Sequence, residues 1–174
     1  MPEEITTIDV TPNPRILAML GEIAFEEWQC IAEFVDNGID SYLTAIQRDE
    51  DFLEAMGLSN FSINVHLPRQ SEFDSGTAKL AVQDTGPGMD LDEVRNAVRA
   101  GFSGNDPLGK LGLFGMGFNI ASARLGRRTK VMTTKRGDPS WLVIDIDLDE
   151  MQRTGQFSAP VSYEPKEDDE IHGT

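Results

Sequence analysis

From Ile23 to Ile46 apolar residues return every three or four positions, through Phe25, Trp28, Ile31, Ala32, Phe34, Val35, Ile39, Tyr42 and Leu43. That spacing predicts a long helix with one broad apolar face, which a second layer must cover. A polar stripe interrupts the pattern. Glu33, Asn37 and Asp40 fall on one face at helical spacing, with Gly38 among them. A solvated helix edge accounts for such a stripe. Gly38, which costs about 1 kcal/mol relative to Ala in a helix interior, fits better where a ligand comes close to the helix. On that reading Glu33 can align and deprotonate a water. The Asn37 amide oxygen is then a hard ligand, suited to a Mg²⁺ that already holds phosphate oxygens.

Elsewhere the periodicity changes repeatedly. Ile5, Ile8 and Val10 form an apolar arm within 1–13, and Asn13-Pro14 predicts a short helix over 14–20. Phe61, Ile63, Val65 and Leu67 alternate, a polar turn with Gly76 follows, and Leu80 and Val82 resume, which predicts two antiparallel strands. Next come a helix at about 90–100, a Gly-rich loop, a second apolar helix near 115–125, and strands at about 129–135 and 141–147 joined through Gly137-Asp138-Pro139. From Glu164 to Glu170 five acids face one base, so the folded domain is expected over 14–163 and an acidic tail or linker start over 164–174. Helices and strands alternate without a regular βαβ rhythm. The expected class is therefore α+β, a two-layer α/β sandwich with a mixed sheet covered on one face by helices.

Charge narrows the function. Fifteen Lys and Arg stand against 30 Asp and Glu, a formal charge of −15, which repels phosphate backbones and anionic lipid. Direct nucleic-acid binding and membrane binding are not expected. One cysteine, Cys30, excludes an internal disulfide and a Cys-based zinc cluster and reads as a small core residue; His66 reads as strand surface. The acidic start Met1-Pro2-Glu3-Glu4 is unlike a secretory signal, and no apolar run reaches the ~18 residues of a membrane span, so a soluble cytoplasmic protein is expected.

Two further segments carry chemistry. Asp84-Thr85-Gly86-Pro87-Gly88-Met89 directly follows a strand. Its composition suits a reverse turn. It equally suits a site where Asp84 accepts from the exocyclic amine of a purine, Gly86 and Gly88 let the backbone approach the base, and Met89 supplies an adaptable apolar wall. In Gly109-Lys110-Leu111-Gly112-Leu113-Phe114-Gly115-Met116-Gly117-Phe118 four glycines precede a helix start, leaving backbone N–H groups free to cradle an anion. Between Gly109 and Arg136 lie seven basic residues and no acid, positive charge placed where phosphates would sit; a flexible surface loop before a solvated basic helix is the other reading. Gly104 to Lys110 imitates a P-loop, but Leu111 replaces the Mg²⁺-ligating Ser or Thr and a helix precedes it in place of a buried strand. Lys110 remains a candidate phosphate contact only.

In order and content, the three segments resemble the boxes of the GHKL, or Bergerat-fold, ATPase superfamily: Glu33 to Asp40 the first, Asp84 to Met89 the second, Gly112 to Gly117 the third. Thr134 looks like the strand threonine that backs the adenine-reading aspartate. The wording is most similar to MORC-type ATPases, through Asp36-Asn37 and Arg124-Leu125-Gly126-Arg127, and to ninety-kilodalton heat-shock chaperones, through Phe114 to Phe118. The resemblance implies ATP and Mg²⁺ as cofactors, Glu33 as general base, Asn37 as metal ligand and Asp84 as adenine reader. It makes Gly112, Gly115, Gly117 and Phe118 the phosphate cradle, with Phe114 and Met116 between them, and 101–111 the lid. It also implies slow Mg²⁺-dependent hydrolysis coupled to lid closure, and either a nucleotide-dependent homodimer or control of a downstream transducer-type domain or subunit. Two other classes stay open: a nucleotide-sensing module without significant turnover, and an unrelated acidic scaffold. Gly38 departs from the Ser or Ala usual at its position, and the γ-phosphate-contacting base that such ATPases draw from a following domain has no counterpart in the three boxes.

Overall fold

The computed structural model describes residues 22, 24–48, 61–98, 117–156, 158–167 and 172–174. The expected arm, the helix over 14–20, the lid 101–111 and most of the third box lie outside these residues.

Helix α1, Glu27–Arg48, spans about 33 Å at 1.5 Å per residue, with Glu27 in its first turn and Arg48 in its last, each favoured by the helix dipole. It buries Cys30, Gly38 and Tyr42. Strands β1, Ile63–His66, and β2, Ala81–Asp84, pair antiparallel with Ile63 opposite Asp84 and Val65 opposite Val82. Their connection contains α2, Gln70–Asp74, a turn the strand alternation did not predict; Glu72 accepts the Arg69 N–H at its start. Helix α3, Leu91–Val98, opens on a reciprocal cap, Asp90 N–H to Glu93 Oε2 and Glu93 N–H to Asp90 Oδ1, both 2.9 Å. Helix α4, Gly117–Leu125, buries Ile120, Ala121, Ser122 and Ala123.

Strands β3, Arg128–Thr133, and β4, Ser140–Asp147, form an antiparallel hairpin, with Val131 opposite Ile144 and Thr133 opposite Leu142. Arg128 and Lys130 point outward while Val131 and Thr133 are buried, the period-two pattern of a half-buried strand. Helix α5, Leu148–Thr154, follows at once, capped by the Asp147 carboxylate on the Glu150 N–H and ended by left-handed Gly155. Strand β5, Val161–Pro165, completes the order β3-β4-β5. Val94 of α3 packs with Val131, Leu142 and Ile144, joined by Met89, Val98, Phe118, Ile146 and Ala159. Fully burying an aliphatic side chain of this size is worth about 1.5–3 kcal/mol.

The class is α+β, as expected, with two corrections. Among the described residues every ladder is antiparallel and the strands divide into two sheets, so a single mixed sheet is not seen. The expected boundary at 163 falls inside β5, and 172–174 is not a loose tail. Glu164 pairs opposite Trp141, its carboxylate meets Lys130 at 2.8 Å, and Gly173 bridges to Thr134 by reciprocal 3.0 Å hydrogen bonds. Backbone pairing, which is indifferent to composition, holds a strand whose residues are all exposed. The strand expected at about 129–135 ends at Thr133, and Thr134 makes the isolated bridge to Gly173 instead.

Candidate functional site

Helices α1 and α4 pack together with Phe34 edge-on to Phe118, ring centroids 5.8 Å apart at 75°. One position earlier on each helix, the Glu33 carboxylate lies against Gly117, where an added Cβ would collide with Oε2. The glycine is therefore required by the approach of the acid to the first turn of α4. Burial, and after it the like charge of Asp36, pushes the Glu33 carboxyl above its ordinary range. Asn37 is exposed one turn along and Asp40 half-buried.

Gly38 has a different reason from the one its sequence suggested. A Cβ there would meet Ile63 Cδ1 at 3.1 Å and the Asp84 Cβ at 3.5 Å, so it is the sheet, not a ligand, that comes close to the helix. The consequence is the same for the site. Gly38 lets α1 seat against β1 and β2 with its backbone next to Asp84.

Asp84 ends β2 and is largely buried. Its Oδ1 accepts the Gly86 N–H at 2.7 Å, its own N–H donates to the Thr174 carbonyl at 2.8 Å, and the Thr174 main chain also favours the ionised carboxylate. Burial pushes this carboxyl up; the Gly86 N–H, the Thr174 contact and His172 oppose it more weakly. A part-buried carboxylate can accept more hydrogen bonds than the main chain beside it supplies, which suits a ligand that donates a hydrogen. The turn after it is fixed to β3. Gly88, at φ +70°, sits so close that an added Cβ would land on the Thr134 carbonyl oxygen, and Met89 N–H donates to Thr133 Oγ1 at 2.8 Å. Lys135 then ties the end of β3 to Asp90 and Glu93 at 2.9 and 2.8 Å.

The threonines are arranged differently from the sequence expectation. Thr134 turns its hydroxyl to the Ser140 carbonyl at 3.0 Å. Neighbours on a strand face opposite sides, so Thr133, fully buried, meets the turn instead, and its hydroxyl lies 2.9 Å from that of Thr174. His172 Nδ1 stands 2.7 Å from the Gly86 carbonyl. No sequence motif marks Thr133, His172 or Thr174; the Gly-Thr pair returning after the acidic run is the available signal.

The basic segment is corrected as well. Arg127 pairs with Asp149, Arg128 with Asp147, Lys130 with Glu164 and Lys135 with Asp90 and Glu93. The acids lie on neighbouring elements, which a count along the chain does not see. Arg124 Nε donates to the Phe25 carbonyl at 3.2 Å. Lys110, Gly112, Phe114, Gly115 and Met116 lie outside the described residues, so of the third box Gly117 and Phe118 are seen.

Residues 25–174 match the family described as histidine kinase-, DNA gyrase B- and HSP90-like ATPase. The chain belongs to that family. Within this ATPase family it is similar to Protein MICRORCHIDIA 3 of Arabidopsis thaliana, 28% identical over 128 residues, 72% of this chain and 19% of that protein. It is also similar to Protein MICRORCHIDIA 1 of the same plant, 25% identical over 128 residues, 72% of this chain and 18% of that protein. The chain thus spans about a fifth of the length of these relatives. The α+β arrangement is that expected of the ATPase family, and no helix among the described residues is long and apolar enough to cross a membrane.

Proposed function

We propose that this domain binds Mg²⁺-ATP and hydrolyses it slowly, with Asp84 reading the adenine amine and Glu33 acting as general base. The observation that carries the reading is that α1 meets the glycine start of α4 at Glu33 and the strand-end acid Asp84 at Gly38, with Asn37 between these two contacts along the helix. Among the described residues no group of three or more acidic, His or Cys side chains could hold a metal. One amide oxygen, from Asn37, fits Mg²⁺, which keeps most of its waters and takes the rest of its ligands from phosphate. The bound ion would neutralise phosphate charge.

The chain's own residues do the remainder. Asp84 Oδ2 accepts from the exocyclic amine while Gly86 N–H keeps Oδ1 occupied. Gly117 leaves the first turn of α4 open to phosphate oxygens, with Phe118 packed behind it. Glu33, its carboxyl raised by burial and Asp36, accepts a proton from a water at the mouth of that turn. Gly112, Gly115 and Lys110 would complete the cradle, and 101–111 the lid whose closure accompanies dimerisation or control of a neighbouring domain. Phosphate release with and without Mg²⁺ tests the reading. The parent should turn over only with Mg²⁺, and Glu33→Ala should still bind ATP while losing about 10²-fold or more in rate. Equal release by parent and variant would remove Glu33 from the chemistry; ATP binding without any release in the parent would leave a nucleotide-sensing module.

A further inference from the structure

The turn that carries Asp84 is held from outside by one short stretch, His172 to Thr174. Thr174 takes the Asp84 N–H through its carbonyl, at 2.8 Å. Gly173 locks onto Thr134 on the other side, and at φ +118° it is packed so tightly that a Cβ would collide with the Asp84 carbonyl. These contacts are main-chain contacts. The side chain that reaches the turn from this stretch is His172, whose Nδ1 is 2.7 Å from the Gly86 carbonyl. A carbonyl accepts only, so Nδ1 carries the proton and donates.

Gly86 is the pivot. Its N–H points at Asp84 Oδ1 while its carbonyl is held by the imidazole, so the carboxylate's aim depends on how that residue is turned. Were Gly86 to rotate, Oδ1 would lose its donor and both oxygens would compete for a ligand amine.

We infer that His172 is a positioning residue for base recognition: its Nδ1–H fixes Gly86, Gly86 fixes Asp84 Oδ1, and Oδ2 is left to read the amine. The inference rests on the ATP reading above. It predicts a particular pattern of substitution. An Asn amide places Nδ2 where Nδ1 stands in His, whereas Gln carries its amide one bond further out, near the place of Nε2.

Calorimetry on the whole 174-residue chain, with Mg²⁺-ATP and Mg²⁺-GTP as probes, tests it on the parent, His172→Ala, His172→Gln and His172→Asn, each first checked by thermal unfolding. One lost hydrogen bond of this kind is worth up to about tenfold. His172→Ala and His172→Gln should bind ATP about 5- to 10-fold more weakly and show a smaller ATP-over-GTP preference, while His172→Asn stays within about 3-fold of the parent. A folded His172→Ala with unchanged affinity and preference would overturn the role while leaving the nucleotide site intact. So would an Asn variant as weak as Gln, the comparison that decides should His172→Ala fail to fold. A parent that binds neither nucleotide would overturn the ATP reading itself, and the role with it.

Discussion

Gly76 and Gly88 share the same backbone angle, φ +70°, in different surroundings, and replacing each with Ala separates the conformational cost of a side chain from its collision. At Gly76 nothing lies within 4 Å of the added Cβ. Ala there costs about 1–2 kcal/mol for the left-handed conformation, partly offset by the smaller freedom it gives the unfolded chain, for a net loss near 1 kcal/mol. At Gly88 the same Cβ lands on the Thr134 carbonyl oxygen, with the Lys135 nitrogen at 3.1 Å. Both are backbone, so no rotamer relieves the clash and the 84–89 turn must lift from β3. Lifting strains the 2.8 Å bond from Met89 N–H to Thr133 Oγ1 and exposes part of Met89. Overpacking of about 1–3 kcal/mol and a weakened buried hydrogen bond of about 1–3 kcal/mol then add to the conformational term. The expected losses are about 1 kcal/mol for Gly76→Ala and about 3–7 kcal/mol for Gly88→Ala. For a chain of this size these correspond to falls in Tm of about 2–4 °C and about 6 °C or more. Thermal unfolding followed by circular dichroism measures both. Two variants melting within a degree of each other would show that the turn does not rest on β3 as described.

The other substitutions probe the carboxylates. In Gly117→Ala the atoms nearest the new Cβ are the far end of the Glu33 side chain, so Tm should change by about 1–3 °C while phosphate release falls about as far as in Glu33→Ala; unchanged turnover would separate Glu33 from this helix turn. Asp84→Asn should lose ATP binding yet melt higher than the nucleotide-free parent at pH 7–8. Burial holds the folded carboxyl above its unfolded value, so its ionisation opposes folding once pH exceeds the folded value, and the advantage of Asn should shrink as acid protonates Asp84. A parent as stable as the variant across that range would contradict it. Asp36→Asn removes a charge that raises Glu33, so the acidic limb of the kcat/KM profile should move to lower pH; a limb that stays put would mean that another group sets it.

Legibility varied with the physics that holds each part. Helix α1 was readable because side-chain burial leaves a period in the sequence; the β1–β2 pair was readable from an alternation that the structure covers only in part, with Ile63 and Val82 half-buried and Val65 exposed. Strand β5 was not, since all five of its residues are exposed and main-chain bonds to β4 hold it; acidic composition therefore suggested a tail. Gly38 signals a close approach in the sequence, but the approaching group is the neighbouring sheet, which helix periodicity does not name. Asp84 was legible as a strand-end acid, whereas the choice between Thr133 and Thr134, both buried, turned on which of the two hydroxyls meets the turn, a one-residue register. The basic run misled because its partners are distant along the chain and adjacent in space.

The stitch at 172–174 also bears on how the chain acquires its structure. The two ladders are each local, hairpins and near neighbours that can form quickly, whereas the bridge from Gly173 to Thr134 and the bond from Asp84 to Thr174 close long loops. During synthesis both sheets can fold and wait. The turn at Asp84 gains its outer support only when residues 172–174 have emerged, so this corner of the molecule should be the last to close and the first to open, with its amide protons exchanging ahead of those in β3 and β4.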